Sequence, residues 1–366
     1  MLSAVATPVP RGSTAGRAFG PRSGGPLATP SPATDRTRAA EWAVAVHEEV
    51  TRLFRALDGG AAPAEESWER PGGGGGVSRT FDGGTLFEKA GVNRSTVHGT
   101  LPAAVRRRLG GRLPDGADPE ADVHFFATGV SVVAHPRSPM VPTVHLNVRY
   151  FELADAAGAA LDRWFGGGTD LTPTYPRPAD ARHFHQALAR ACRAFGAGVY
   201  PRAKAWCDDY FVNTHRAAPA LGTGTVAGER RGVGGIFYDH VRPGEGLGDE
   251  LDAAGLHAFA VAVGTVLGEA YAPIAERRGG EAYGEAERAL QCERRGRYAE
   301  FNLLHDRGTL FGLQTGARVD SVLMSLPPAA AWPAPAARAP GSLDARLGAM
   351  LVPRDWLAGG AGEDDA

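Results

Sequence analysis

The segment HLNVRYF carries a histidine, an asparagine and an arginine at alternate positions: His145, Asn147 and Arg149. On an extended strand the side-chain period of two puts these three on one face and Leu146, Val148 and Tyr150 on the other. Each polar type brings different chemistry. An imidazole exchanges protons near neutrality, an amide donates and accepts, and a guanidinium forks onto a carboxylate. The preceding segment repeats the alternation more weakly, with Ser131 and His135 flanking Val133 at the same parity. If the two segments pair in register, Ser131, His135, His145, Asn147 and Arg149 converge. A solvated sheet face is the plainer and commoner cause of polar alternation; the choice of His, Asn and Arg over Lys, Glu and Thr argues against it.

In WFGGGTDLTPTYP, Asp170 follows three glycines and precedes a proline. Glycine backbone permits close approach to a flat ligand, and an ionised aspartate there can accept several hydrogen bonds, although an ordinary turn with an Asx bond has the same pattern. Among the eleven histidines, His183 and His185 lie two apart on an expected helix, so only one can join a common site. Histidines gathered from a hairpin and two helices leave a metal open, but spacing supports it weakly, and no H-E-x-x-H is present. No P-loop, no G-x-G-x-x-G opening a βαβ unit and no G-x-S-x-G elbow occurs, which argues against phosphate cradling and serine nucleophiles.

These side chains need a frame. Trp42, Val46, Val50, Leu53, Phe54 and Leu57 recur at threes and fours and predict an amphipathic helix over 41–58. Gly72 to Gly76 predict a loop before a short strand. Residues 123–134 and 143–153 predict two strands joined through HPRSPMVP as a hairpin. A long helical region is expected over 180–216, broken near Gly196, then a strand at GVGGIFYDH and a helix over 251–278. RYAEFNLLHDRGTLFGLQTG reads as a strand, a turn at Asp306-Arg307-Gly308 and a returning strand. Without regular βαβ alternation, the order favours an α+β layer structure with a mainly antiparallel sheet.

Composition narrows the function classes. Of 366 residues 43% are apolar and 22% charged, enough for a real core. With 39 Lys+Arg against 41 Asp+Glu the net charge is -2, which offers no global field for nucleic acid or an anionic membrane. Any anion must be held locally. Cys192, Cys207 and Cys292 form no C-x-x-C pair, so neither a disulfide framework nor a thiolate zinc site is indicated, and a reducing cytoplasm fits. The uncharged apolar stretch 253–268 is too short for a membrane span. Residues 1–40 hold Arg11, Arg17, Arg22, Arg36 and Arg38 against Asp35 alone and are expected to be a disordered leader, an organelle transit sequence being the alternative. A single domain is expected over 41–357, with an acidic disordered tail over 358–366.

Six motifs in order, FEKAGVNRSTVHG, HPRSPMVPTVHLNVRYFE, WFGGGTDLTPTYP, KAWCDDYFVNTHR, RGVGGIFYDH and RGRYAEFNLLHDRGTLFGLQTGAR, resemble the oxygen-dependent coproporphyrinogen III oxidases. These heme-pathway enzymes turn two propionates of a porphyrinogen into vinyl groups, and the likeness runs over about 40–357. The resemblance implies a large antiparallel sheet with helices on both faces, and a homodimer with contacts after Tyr298. It implies His145 as proton donor and Asn147, Val148 and Arg149 as a substrate-binding tripeptide. Ser131 and the turn Gly316, Ala317, Arg318 become further substrate contacts, and Asp170 the aspartate that holds or deprotonates the pyrrole nitrogens. His135, His145, His185 and His215 match positions proposed as divalent-metal ligands in bacterial relatives, while members of the family are regarded as working without a metal or organic cofactor, dioxygen being the co-substrate. Two departures stand out: Ala317 where many relatives have glycine, and Asp239-His240 where some have Asp-Asp.

The implied chemistry suits these residue types. Arg149 and Arg318 can fork onto propionates of a tetracarboxylate without a basic overall charge. Asp170 would accept from the pyrrole N–H groups and ease ring oxidation. Dioxygen would add to the activated pyrrole, the hydroperoxide would remove a propionate β-hydrogen, and carbon dioxide and hydrogen peroxide would leave, with His145 relaying protons. The rival readings are a non-catalytic tetrapyrrole carrier, a histidine-ligated iron oxygenase and an interaction scaffold.

Overall fold

The structure is a computed structural model and describes residues 34–216, 226–247, 251–314, 318–334 and 339–358. The expected leader falls outside these residues up to position 33, as does most of the expected tail.

The chain starts with helix α1 (Asp35–Leu57), whose N-cap Thr34 accepts a hydrogen bond from the Thr37 backbone N–H. Residues 35–40, expected to be leader, are therefore helical. The predicted stripe is buried: Trp42, Val46, Val50 and Phe54 lie in the main core, each worth about 1.5–3 kcal/mol of apolar burial. Strands β1 (Ala64–Glu69), β2 (Gly74–Asp82) and β3 (Phe87–Leu101) follow, then helix α2 (Ala103–Arg108). The expected glycine loop is partly wrong, because Gly74, Gly75 and Gly76 belong to β2. The reason is space: a Cβ at Gly76 would meet the Trp68 ring at 2.4 Å.

Strands β4 (Val123–Pro136) and β5 (Thr143–Ala154) form the predicted hairpin, followed by β6 (Ala160–Thr172). The long helical region is α3 (Pro178–Arg193) and α4 (Val199–Tyr210), broken at Gly196 with φ 127°. It ends six residues early, because Val212–Asn213 forms β7 and pairs with β8 (Glu229–Arg230). Strand β9 (Gly235–Val241) then adds to β6, giving one antiparallel sheet in the order β1-β2-β3-β4-β5-β6-β9.

The single helix expected over 251–278 is three: α5 (Ala253–Thr265), α6 (Leu267–Ala270) and α7 (Ala272–Arg278). By length and composition Ala253–Arg278 is apolar enough to cross a membrane. Here Leu256, Phe259, Ala260 and Val263 instead pack in the main core with α1. The largest miss is the C-terminal region. RYAEFNLLHDRGTLFGLQ forms α8 (Glu285–Leu304) and α9 (Arg307–Gln314), followed by α10 (Val319–Leu323) and α11 (Leu343–Met350), not two strands. In α8 the buried positions Leu290, Arg294, Tyr298 and Phe301 do have helical spacing. One is an arginine whose burial is compensated by Glu229, so the pattern does not read as apolar.

The sheet has two different faces. Val92, Val130, Val132, Leu146, Val148 and Tyr150 face α1 and α5 in the main core. On the other face Val133 packs against Tyr298 and Met324, and Asn93 donates to the Ser321 carbonyl, so α8 and α10 cover it. This is the expected α+β arrangement with helices on both faces.

Candidate active site

Directly paired residues of an antiparallel sheet share a face, so the registers arrange the covered face in rows. The first row is Trp68, Gly76, Ser95, Gly129, Arg149 and Gly166 across β1 to β6. The second is Glu66, Ser78, Asn93, Ser131, Asn147 and Gly168. The third places Gly91, Val133, His145 and Asp170 side by side. Ser131 therefore lies opposite Asn147, and His145 opposite Asp170. The predicted convergence of the hairpin's polar residues is met by Ser131, His145, Asn147 and Arg149.

A cavity of about 460 Å³ opens over the first two rows, within the usual range for a small-molecule site. Ser131, Asn147, Arg149 and Arg318 line it, as do Trp68, Trp164, Asp239 and Arg307. Glycines flank Arg149 in its row: Gly129 lines the cavity, and a Cβ at Gly166 would come within 2.7 Å of Arg149 Nε and 2.9 Å of Asp239 Oδ1. Trp68 Nε1, Asn93 Oδ1 and Ser321 Oγ are buried at this cavity with no hydrogen-bond partner among the described residues. Buried polar atoms are normally satisfied, so these three suit a polar ligand.

Arg149 donates to Asn147 Oδ1 at 2.7 Å and pairs with Asp239 Oδ1 at 2.7 Å. Asn147 donates in turn to the Val130 carbonyl at 3.2 Å, which fixes its amide orientation. Arg318 pairs with Glu66 at 2.5 Å, and Arg307 reaches Asp239 Oδ2 at 3.5 Å. Arg149, Arg307 and Arg318, three of the four arginines that line the cavity, thus each stand near a carboxylate that a ligand carboxylate can replace.

Asp239 owes its position to a β-bulge. Tyr238 pairs with Gly167 and Val241 with Phe165, so Asp239 and His240 together oppose the single residue Gly166. His240 takes φ 52°, the one positive φ on a non-glycine among the described residues. Bulges of this kind re-aim side chains beside active sites. Burial pulls the Asp239 pKa up, but Arg149 and His240 outweigh it and hold the carboxyl well below its usual range.

Behind the cavity lies a second polar group. His145 Nδ1 is 2.8 Å from Asp170 Oδ1, and Arg231 Nη2 donates to both oxygens of Asp170 at 2.7 and 2.6 Å. Arg231 also donates to Asn302 Oδ1 at 2.9 Å and stacks against Phe211, Tyr298 and Phe301. Burial raises the Asp170 pKa, and Arg231 and His145 more than reverse this. Asp170 is only 1% exposed and does not line the cavity, whereas the His145 side chain keeps 20% of its surface open. Asp170 and Arg149 share a sheet face, but only Arg149 lines the cavity, and His145 lies outside its lining as Asp170 does.

Two further expectations change, and a third falls where nothing is described. The Val148 side chain is 0% exposed and lies in the main core on the opposite face, because strand parity forces it there. Gly316 and Ala317 lie outside the described residues. The four histidines do not gather, and among the described residues no group of three or more His, Cys, Asp or Glu is placed to hold a metal ion. His135 has Thr143 and the Ser325 carbonyl on its two ring nitrogens, and His185 has Tyr200 and the Val233 carbonyl. Burial first, with nearby cations, brings both pKa values down to about 3, so both rings are neutral. His215 instead meets His305 and Glu300 at the surface.

Sequence reasoning gave no role to Arg231, Asp239, Arg307 or Trp68. Arg231 and Asp239 open and nearly close the motif RGVGGIFYDH, which was the available signal.

The fold and site define an α+β protein with an arginine-bordered cavity on one face of an antiparallel sheet. Residues 38–356 match the family model of coproporphyrinogen III oxidase, and the chain belongs to that family. It is 46% identical over 324 residues to the oxygen-dependent coproporphyrinogen-III oxidase of Prochlorococcus marinus, covering 83% of this chain and 85% of that one. It is 44% identical over 312 residues to the chloroplastic oxygen-dependent enzyme of Glycine max, covering 84% and 76%. It is also 42% identical over 335 residues to the chloroplastic coproporphyrinogen-III oxidase 1 of Arabidopsis thaliana, covering 90% and 82%.

Proposed function

We propose that this protein catalyses the oxygen-dependent oxidative decarboxylation of coproporphyrinogen III to protoporphyrinogen IX in heme biosynthesis. Each of two propionates reacts with one dioxygen. The arm –CH2–CH2–COOH becomes –CH=CH2, carbon dioxide leaves, and dioxygen takes the two electrons and two protons to become hydrogen peroxide. Dioxygen is the co-substrate. The observation that carries the reading is the set of three arginines, Arg149, Arg307 and Arg318, around one cavity in a chain of this family.

Arg149 and Arg318 bind substrate carboxylates, Ser131 and Asn147 position them, and His145 supplies and relays protons. Asp170 orients the His145 ring from behind through the contact of Oδ1 with Nδ1. His145 and Arg149 lie four residues apart on β5, roughly 13 Å at strand spacing, a span suited to a macrocycle with charged arms.

The test is purified, chelator-treated protein mixed with coproporphyrinogen III in air, with products oxidised and read by porphyrin fluorescence. Conversion to the divinyl product with release of carbon dioxide and peroxide is expected, and none under argon. Binding without conversion in air would leave the carrier reading. Dependence on added iron would leave the oxygenase reading.

Two further points belong to this proposal. The protein works as a homodimer through the region after Tyr298, where Leu303, Leu304, Leu313, Val319 and Trp332 are exposed; a monomeric mass in sedimentation would reject this. Its compartment is the cytoplasm. The organellar alternative draws on the two chloroplastic relatives, and a fluorescent fusion to residues 1–40 separates the two.

A further inference from the structure

Two aspartates stand on the site face, and their surroundings differ. Asp170 has Oδ1 taken by His145 and Arg231 and Oδ2 taken by Arg231, at 1% exposure. Asp239 lines the cavity, and Arg307 stands 3.5 Å from its Oδ2. Its Oδ1 takes Arg149 at 2.7 Å, the His240 backbone N–H at 3.0 Å and the His240 ring Nδ1 at 3.3 Å. The His240 ring is itself held, stacked on Trp164 with centroids 5.2 Å apart and with Nε2 2.5 Å from the Leu109 carbonyl. Both of its nitrogens face acceptors, and the hydrogen bond to Asp239 raises its pKa above the ordinary imidazole value despite partial burial.

Resting on the porphyrinogen reading above, we propose that Asp239 is the carboxylate that accepts the pyrrole N–H groups of the macrocycle, and that His240 holds it in place when Arg149 turns to a substrate carboxylate. An arginine already paired to an aspartate must give up that pair to bind a substrate carboxylate. His240, with Arg307 3.5 Å from Oδ2, lowers the cost of the exchange, since the aspartate keeps donors beside it and is not left buried and unpaired. Asp239 is a catalytic residue on this reading and His240 a positioning residue. The role moves from Asp170 to the carboxylate that a bound ring can reach.

The two residues give opposite kinetic signatures. With coproporphyrinogen III in air, D239N should lose at least about 100-fold in kcat with KM unchanged or lower, because Arg149 is released. H240N tolerates the positive φ and should raise KM about tenfold with kcat within about threefold, because Asp239 then holds Arg149 harder. D239N turnover within about threefold of wild type, a D239N loss accompanied by a raised KM, or an H240N KM equal to wild type would each overturn the proposal. Should D239N not fold, D239E is read the same way: a kcat lowered about tenfold or more supports the role, and an unchanged one removes it. A wild-type protein that released no carbon dioxide would reject the functional reading instead.

Discussion

Asp170 lies directly across the β5–β6 register from His145, with Oδ1 2.8 Å from the imidazole Nδ1, and carries Arg231 on its other side. The pair therefore joins a partly exposed proton carrier to a buried cation. Neither residue alone makes the arrangement: without Arg231 the aspartate would be a buried unpaired charge, and without Asp170 the arginine would be.

Breaking that pair has a stability signature. D170N leaves the buried Arg231 guanidinium uncompensated, a loss of about 3–5 kcal/mol. Urea unfolding should show a lower midpoint with an unchanged slope. Turnover of the folded fraction should fall at least about 100-fold, since His145 loses its orienting partner.

On the proposed reading Arg149 grips a substrate carboxylate by geometry as well as charge. R149K keeps the charge and loses the fork, a loss of about 1.5–3 kcal/mol for hydrogen bonds to a charged group. KM for coproporphyrinogen III should rise roughly ten- to hundredfold, with a melting temperature close to wild type.

The close fit of Gly166 against Arg149 can be tested without replacing any polar group. G166A should wedge Arg149 and Asp239 apart, since the new methyl would lie 2.7 and 2.9 Å from them, and kcat/KM should fall about tenfold or more. G268A, in α6 with nothing within 4 Å of the added carbon, should leave activity intact and stabilise by up to about 1 kcal/mol.

Acid should unfold the protein partly through two histidines. His135 and His185 are held down to about 3 by burial, against an ordinary value near 6.5. Between these values the unfolded chain binds more protons than the folded one, so stability falls as pH drops from about 6.5 towards 3. Unfolding midpoints at pH 7.5, 6 and 5 should decline, and H135Q should flatten the slope.

The same two rings bear on metals. Their nitrogens already have protein partners, so chelation should leave turnover within about twofold of untreated protein. Loss of activity restored by one divalent ion would show a site that these residues do not form.

Much of this was legible in order along the chain. The period of two in HLNVRYF assigned His145, Asn147 and Arg149 to one face, and the Pro-punctuated connection made the hairpin partner plain. The apolar stripe from Trp42 to Phe54 predicted α1. These are local signals, because parity and helical period act within a few residues. The α8 helix was misread because its buried face includes Arg294, and an arginine counts as interior only once Glu229, 65 residues earlier, is known to meet it.

What the sequence determined by itself was the family, the α+β class and the face on which the polar residues of β5 lie. Only the tertiary structure decided that Asp170 is sealed behind His145 by Arg231, that Val148 faces the core with no route to the cavity, and that a two-for-one bulge at Gly166 brings Asp239 to Arg149. The physical reason is common to all three. Charge pairing and burial depend on which strands and loops meet in space, and no spacing within one segment encodes that.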